Sequence, residues 1–305
     1  MKTTTLTSDA LLLVTATIWG FAFVAQRAGM ELVGPFTFNA MRFSLGALVL
    51  TPFLWIWRNR PAPSGKTVTS RAFLWGSLAA GTVLFLGSSF QQIGIVYTTA
   101  GKAGFITGLY VILVPILGLK LGHRTDLKTW AGALLALWGL YFLSLTRSFG
   151  MEKGDLLVLA SAFFWASHVL LIDFLSPQFD TLRLAFFQFA ICAVFSLAAA
   201  LLAEEILWSQ IFRAAIPILY AGVLSVGIAY TLQVVAQRHA HPSHAAIIMS
   251  LESVFAALGG WLVLGERLSP RETVGCLLMF SGMVLSQLQI PRRKKRAKAI
   301  PSEQP

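Results

Sequence analysis

Charge is scarce in this sequence. Asp, Glu, Lys and Arg make up 12% of its 305 residues, and 56% are hydrophobic; a water-soluble domain carries about 25% charge. Lipid is therefore the solvent for most of these side chains. Acidic residues are the scarcest, 13 against 24 Lys and Arg, a net +11. That surplus does not read as a nucleic-acid surface. It sits in short loops and in the run Arg292-Arg293-Lys294-Lys295-Arg296, the pattern of a membrane-topology signal with some attraction to anionic lipid. The two cysteines, Cys192 and Cys276, lie inside apolar runs and read as small buried residues. Catalytic motifs are missing too. There is no His-Glu-x-x-His, no phosphate loop and no Ser-His-Asp set, so neither an enzyme nor a cofactor is expected. His239, His241 and His244 are close together, but Pro242 intervenes and no Cys or carboxylate is near, so no metal site is expected either.

What the chain has instead is long apolar runs. Runs of about 20 residues mark membrane helices. They fall near 9–26, 36–57, 72–96, 100–120, 127–146, 155–173, 182–203, 212–236, 243–264 and 271–290. The first begins like a signal peptide, but it continues to Val24 and has a counterpart at Leu156 to Leu171, so a retained span is expected. With the N-terminus in the cytoplasm, inside segments carry sixteen of the 24 basic residues and outside segments seven, which predicts both termini inside.

The spans come in two sets of five. Asp9 and Trp19 recur as Asp155 and Trp165, and Arg42-Phe43 as Gln188-Phe189, all at an offset of 146 residues. Gln91 falls on Gln233, and Gly122-His123-Arg124 on Gly265-Glu266-Arg267, at slightly shorter offsets. An odd number of spans per unit makes the second unit enter from the opposite side. The expectation is an all-α integral membrane protein of ten transmembrane helices, two five-helix inverted-topology repeats at 9–146 and 155–290, then a basic cytoplasmic tail at 291–305. Asp9 and Asp155 each open a span and read as helix N-caps.

The ordered set of Trp19 and Trp165, Arg42-Phe43, and Leu264-Gly265-Glu266-Arg267-Leu268 before the last span resembles the EamA family of the drug/metabolite transporter superfamily. The resemblance covers about residues 9–290 and implies a ten-helix inverted-repeat transporter of the inner membrane. It implies export of amino acids or small metabolites, often by proton antiport or exchange. It does not name a substrate. The Gly-Glu-Arg signature is complete only in the second unit, since the first has His123.

Polar groups deep in a span are the candidates for a pathway. Glu252, near the middle of the ninth span, is the candidate for taking up and releasing a proton; structural glue is the alternative. Tyr110 is its counterpart in the fourth span and should face it across the pseudo-two-fold axis. His168 shares a helix face with Trp165 and is the one His well inside a span, a second proton site or a hydrogen-bonding group for substrate. Gln91 and Gln233 are candidates for polar substrate contact, and Trp19 and Trp165 for a cavity wall. Arg42, about two turns into the second span, and Lys102, which opens the fourth, read as gating or structural groups, with Lys102 as an interfacial anchor. Gly104, Gly108 and Pro115 supply either a hinge or close packing in the fourth span.

Together these predict a secondary transporter, an exporter of a small polar or amphipathic metabolite such as an amino acid, working by alternating access with Glu252 as the proton-coupling group. Its partners would be a small-molecule substrate and the lipid bilayer, with no nucleic acid. Efflux of lipophilic cations, with Glu252 as counter-ion, is a second reading. A lipid-carrier flippase is a third, resting on Arg42 alone.

Overall fold

The computed structural model describes residues 2–56, 70–119, 127–144, 151–176, 178–237, 248–249 and 251–287. Arg292 to Arg296 of the expected tail, His123, and His239, His241 and His244 lie outside them. The described residues are helical, with no strand. The helices are α1 (Lys2–Gly29), α2 (Pro35–Ile56), α3 (Ser70–Val96), α4 (Ala100–Gly108), α5 (Tyr110–Gly118), α6 (Leu127–Ser144), α7 (Lys153–Leu175), α8 (Thr181–Ala203), α9 (Trp208–Arg213) and α10 (Ala215–Leu219). A wide-turned π segment, Tyr220–Ala229, joins α10 to α11 (Tyr230–Gln237); α12 (Glu252–Leu264) and α13 (Pro270–Gln287) complete the set. Seven stretches are long and apolar enough to cross a membrane: Leu6–Gly29, Pro35–Ile56, Arg71–Val96, Ala100–Gly118, Lys153–Leu175, Thr181–Ala203 and Ala215–Gln233. Leu127–Leu143 and Glu252–Leu264 are shorter but also apolar.

Three features depart from plain spans. The first helix starts at Lys2, so Asp9 lies inside it rather than capping it. The start of α7 is likewise earlier than expected: Glu152 holds the cap position, and Asp155 sits in the first turn, where it accepts a 2.6 Å hydrogen bond from Thr98 Oγ1. The fourth and ninth stretches are interrupted. Leu109 turns between α4 and α5, its N–H reaching Ile106 O at 3.2 Å, and Leu251 turns before α12, its N–H reaching Ile248 O at 3.1 Å. Pro115 removes one N–H from α5, which weakens the ladder around the first of these turns.

In lipid, apolar surface gives little drive for helix association, so close backbone approach at small residues has to supply it. The α6–α13 pair shows how. A Cβ on Gly132 would stand 2.5 Å from Gly282 O, and one on Gly139 would stand 2.7 Å from Gly275 O. The early glycine of one helix meets the late glycine of the other, so the two run antiparallel. The α3–α7 pair is antiparallel too: Gly94 meets Gly154 and Val158, and Gly76 meets Leu175. Between α4 and α12, Gly104 lies against Ala256, and Ser253 Oγ donates to Gly104 O at 3.0 Å. The glycines of α4 thus serve packing in this arrangement.

One end of the bundle is tied by carboxylates. Glu204, just past α8, accepts from Phe36 N (2.7 Å), Thr37 N (2.8 Å) and Thr37 Oγ1 (2.7 Å), capping α2 from another part of the chain. Glu266, just past α12, accepts from Ala100 N (2.8 Å) and Gly101 N (3.2 Å) and caps α4 in the same way. Free N–H groups at a helix start are natural carboxylate sites. Gly265, in the left-handed region at φ +66°, turns the chain so that Glu266 can reach. At the same end, Lys102 Nζ pairs with Glu272 Oε1 at 2.9 Å and Glu152 Oε2 at 3.3 Å. Lys102 is buried between these carboxylates.

Candidate functional site

Away from that clamped end, polar and aromatic side chains meet between the helices. Two connected groups form. In the first, Trp165 on α7 donates from Nε1 to Gln91 Oε1 on α3 at 2.7 Å. Gln91 Nε2 faces Gln26 Oε1 on α1 at 3.5 Å, and Gln92 Nε2 donates to Gln26 O at 3.3 Å. His168, one turn beyond Trp165, places Nε2 2.8 Å from Gln188 Oε1 on α8 and lies edge-on to the Trp165 ring, centroids 6.1 Å apart. This group ties α1, α3, α7 and α8 through side-chain amides, the use of polar residues expected where no water competes.

The second group surrounds the helix interruptions. Glu252, the first residue of α12, is 4% exposed, and its side-chain hydrogen-bond partner is the Tyr110 hydroxyl, from the first residue of α5. The two interruptions therefore bring together the two residues that the repeat pairs. Tyr230, where the π segment ends, lies within electrostatic range of both Glu252 and Arg42. Trp19 meets the Tyr230 ring edge-on at 5.1 Å and donates from Nε1 to Ser225 O, a carbonyl inside the π segment, at 3.2 Å. Widened turns of this kind often mark functional sites. Gln233 donates to Met249 Sδ at 3.7 Å. It does not join Gln91, although the repeat pairs them.

Arg42 projects from α2 at 5% exposure over the Phe43 ring, 4.8 Å to its centroid, and the Phe38 ring, 5.9 Å. The Phe43, Phe189 and Tyr230 rings continue from there, at 6.1 and 5.5 Å centroid spacings, toward Trp19. Trp19, Trp165, Tyr110 and Tyr230 are each half-buried. The group brings together a cation at Arg42, a carboxyl at Glu252 and the half-buried rings of Trp19, Tyr110 and Tyr230. Chemically, a carboxyl at this depth can take up and release a proton.

Gly104, Gly108 and Pro115 lie in α4 and α5, and Gly108 packs against Ser253 and Met283. Sequence reasoning missed Gln26, Ser225 and Tyr230, and it missed Glu204, Glu152 and Glu272 at the clamped end. Amides and carboxyls in or beside apolar runs were the available signal for Gln26 and Glu204. Nothing in the order of residues marks the Ser225 carbonyl.

The model of the EamA-like transporter family matches residues 6–145 and again 152–288. The chain is a multi-pass membrane protein and belongs to the EamA-like transporter family. It is 33% identical over 285 residues to an uncharacterized transporter of Archaeoglobus fulgidus, covering 93% of this chain and 86% of the relative. It is 26% identical over 287 residues to the threonine/homoserine exporter RhtA of Escherichia coli K12, covering 93% and 92%. A solved crystal structure shares the fold, with a TM-score of 0.65 at 20% identity over 92% of this chain and 96% of that one. The relatives are named as transporters, not enzymes.

Proposed function

We propose that this chain is a secondary active transporter of the inner membrane, an exporter of a small polar or amphipathic metabolite such as an amino acid. It works by alternating access, with substrate exchange coupled to protonation of Glu252. Ten transmembrane helices form two five-helix inverted repeats, 9–146 and 155–290, with both termini in the cytoplasm. The carrying observation is the hydrogen-bonded pair Glu252–Tyr110, each residue starting a helix at an interruption of its span. Interrupted helices at mid-depth are where transporters of this general design hold substrate and coupling ions.

Other observations support the architecture. The family model matches twice. The last helices of the two matched stretches, α6 and α13, cross antiparallel, as inversion requires. The name of the relative RhtA, a threonine/homoserine exporter, supports an amino acid as the cargo. A buried cation, Arg42, beside the same aromatic surface weighs against lipophilic cations as cargo.

Antiport follows from the chemistry of one carboxyl. A protonated Glu252 is neutral and can cross between the two access states with its Tyr110 partner. A charged Glu252 moves at a high cost unless substrate accompanies it. The test is counterflow in liposomes against a panel of amino acids and small metabolites, with and without an imposed pH gradient. Uptake of a specific compound that follows the gradient is the expected result. Gradient-independent uptake would remove the coupling, and no uptake of any panel compound would remove the transport reading.

A further inference from the structure

The guanidinium of Arg42 is the one group in this polar zone whose charge the fold leaves unanswered. No carboxylate pairs with it among the described residues, and it makes no hydrogen bond to any of them; its Nε is sealed from solvent without a partner. The ionisable groups in its range are the Cys192 thiol and the Tyr230 hydroxyl, neither of which is an anion under ordinary conditions. The Phe38 and Phe43 rings stabilise the cation face-on, but a ring face does not replace an acceptor for five N–H donors. Asn39, one turn earlier on the same face of α2, is fully buried with neither amide atom partnered.

A charged group held at this depth without a counter-ion is costly, and membrane proteins keep such groups facing the interior where something charged visits them. Arg42 stands seven residues into α2, about 10 Å along the helix from the clamped end, while Glu252 stands about 18 Å along α12 from its Leu264 end. Tyr230 senses both. The cation therefore lies between the clamped end and the carboxyl.

We propose that Arg42, assisted by Asn39, is the anion subsite of the transport path and binds the carboxylate of a small amphipathic substrate, whose apolar part lies against the half-buried Tyr230 and Trp19 rings. A planar guanidinium matches a carboxylate with two parallel hydrogen bonds. A phosphate dianion would need a second cation, and none is in range of Arg42 among the described residues. In a zwitterionic substrate the ammonium end faces the Glu252–Tyr110 pole, so substrate and proton compete for one carboxyl.

The inference rests on the transporter reading for the word path, but its test is binding, which does not require transport. Purified protein in nanodiscs is titrated with L-threonine, L-leucine and L-phenylalanine, each beside its methyl ester and its decarboxylated amine, and with phosphoethanolamine. At least one free amino acid should bind tenfold or more tightly than its ester and amine. Arg42→Gln should erase that preference, and Arg42→Lys, which keeps a charge in a folded protein, should retain part of it. Equal binding of acid, ester and amine, an undiminished preference in Arg42→Gln, tighter binding of phosphoethanolamine, or no binding by any of the amino acids each overturns the subsite. Selective binding with no flux in liposomes leaves the subsite standing and removes the transport reading. Flux without discrimination does the reverse.

Discussion

Two helix interruptions stand 142 residues apart, at Leu109 and Leu251. Each is a single turn with the same local bond, from the turn residue back to the carbonyl three residues before it. Each places the next residue at the start of a helix, Tyr110 in one case and Glu252 in the other. The geometry is the same and the chemistry is not: a neutral hydroxyl meets an ionisable carboxyl. The same holds in α2 and α8, where Arg42 finds no acceptor and Gln188 at the corresponding place bonds His168. At these places the two family-matched stretches share a local geometry but carry different polar groups. A helix can be duplicated without loss. A second carboxyl beside Glu252, or a second unpaired guanidinium beside Arg42, would add a buried charge that nothing balances.

This comparison predicts that scaffold changes damage both stretches alike and polar changes do not. The largest effect should come from Gly139→Leu or Gly282→Leu, since each glycine lies against the backbone of the opposing helix in the α6–α13 crossing. Overpacking there should cost about 1–3 kcal/mol or more, with similar losses of monodisperse protein on size-exclusion chromatography for the two variants. A tolerated leucine at one site only would break the symmetry of the crossing.

Next are the caps. Glu204→Ala and Glu266→Ala should each lower stability by about 1–2 kcal/mol, read as a fall in Tm in detergent. Glu204 accepts three hydrogen bonds and Glu266 two, so the Glu204 variant should melt lower, and the opposite order would contradict the clamp. Smaller again, Trp165→Phe and Trp19→Phe each lose one indole bond, worth about 0.6 kcal/mol and at most about 1.7 in a membrane. Trp165 makes the shorter bond, to a side-chain amide, so its variant should lose more thermal stability. Equal losses would mean that the amide chain contributes nothing beyond packing.

Much of this was legible in the residues. Composition and run length marked the seven helices long and apolar enough to cross a membrane, and the offset repeat paired Tyr110 with Glu252, which the fold brings together; Trp19 and Trp165, also paired by the repeat, lie in separate groups. The interruptions were not legible. Gly108 stands beside Leu109, but nothing comparable stands beside Leu251, and a Leu turn inside an apolar run has no local signature. Capping was misread at Asp9 and Asp155 because a helix can begin before its apolar run does; Lys2 to Thr7 continue α1 backward as polar helix. The clamp of Glu204 and Glu266 depends on N–H groups more than 160 residues away in the chain, which no spacing rule reaches. The ion pairs of Lys102 were not legible either, because Glu152 and Glu272 come from two other elements and their convergence is a tertiary fact.

The most direct test of the account compares wild type with Glu252→Gln in the same liposomes, with the amino acid that wild type exchanges. The amide keeps the shape and a hydrogen bond to Tyr110 but cannot carry a proton. The account predicts that the variant still exchanges substrate across the membrane while an imposed pH gradient no longer drives net accumulation, a loss of tenfold or more. Gradient-driven accumulation at the wild-type level in Glu252→Gln would contradict it.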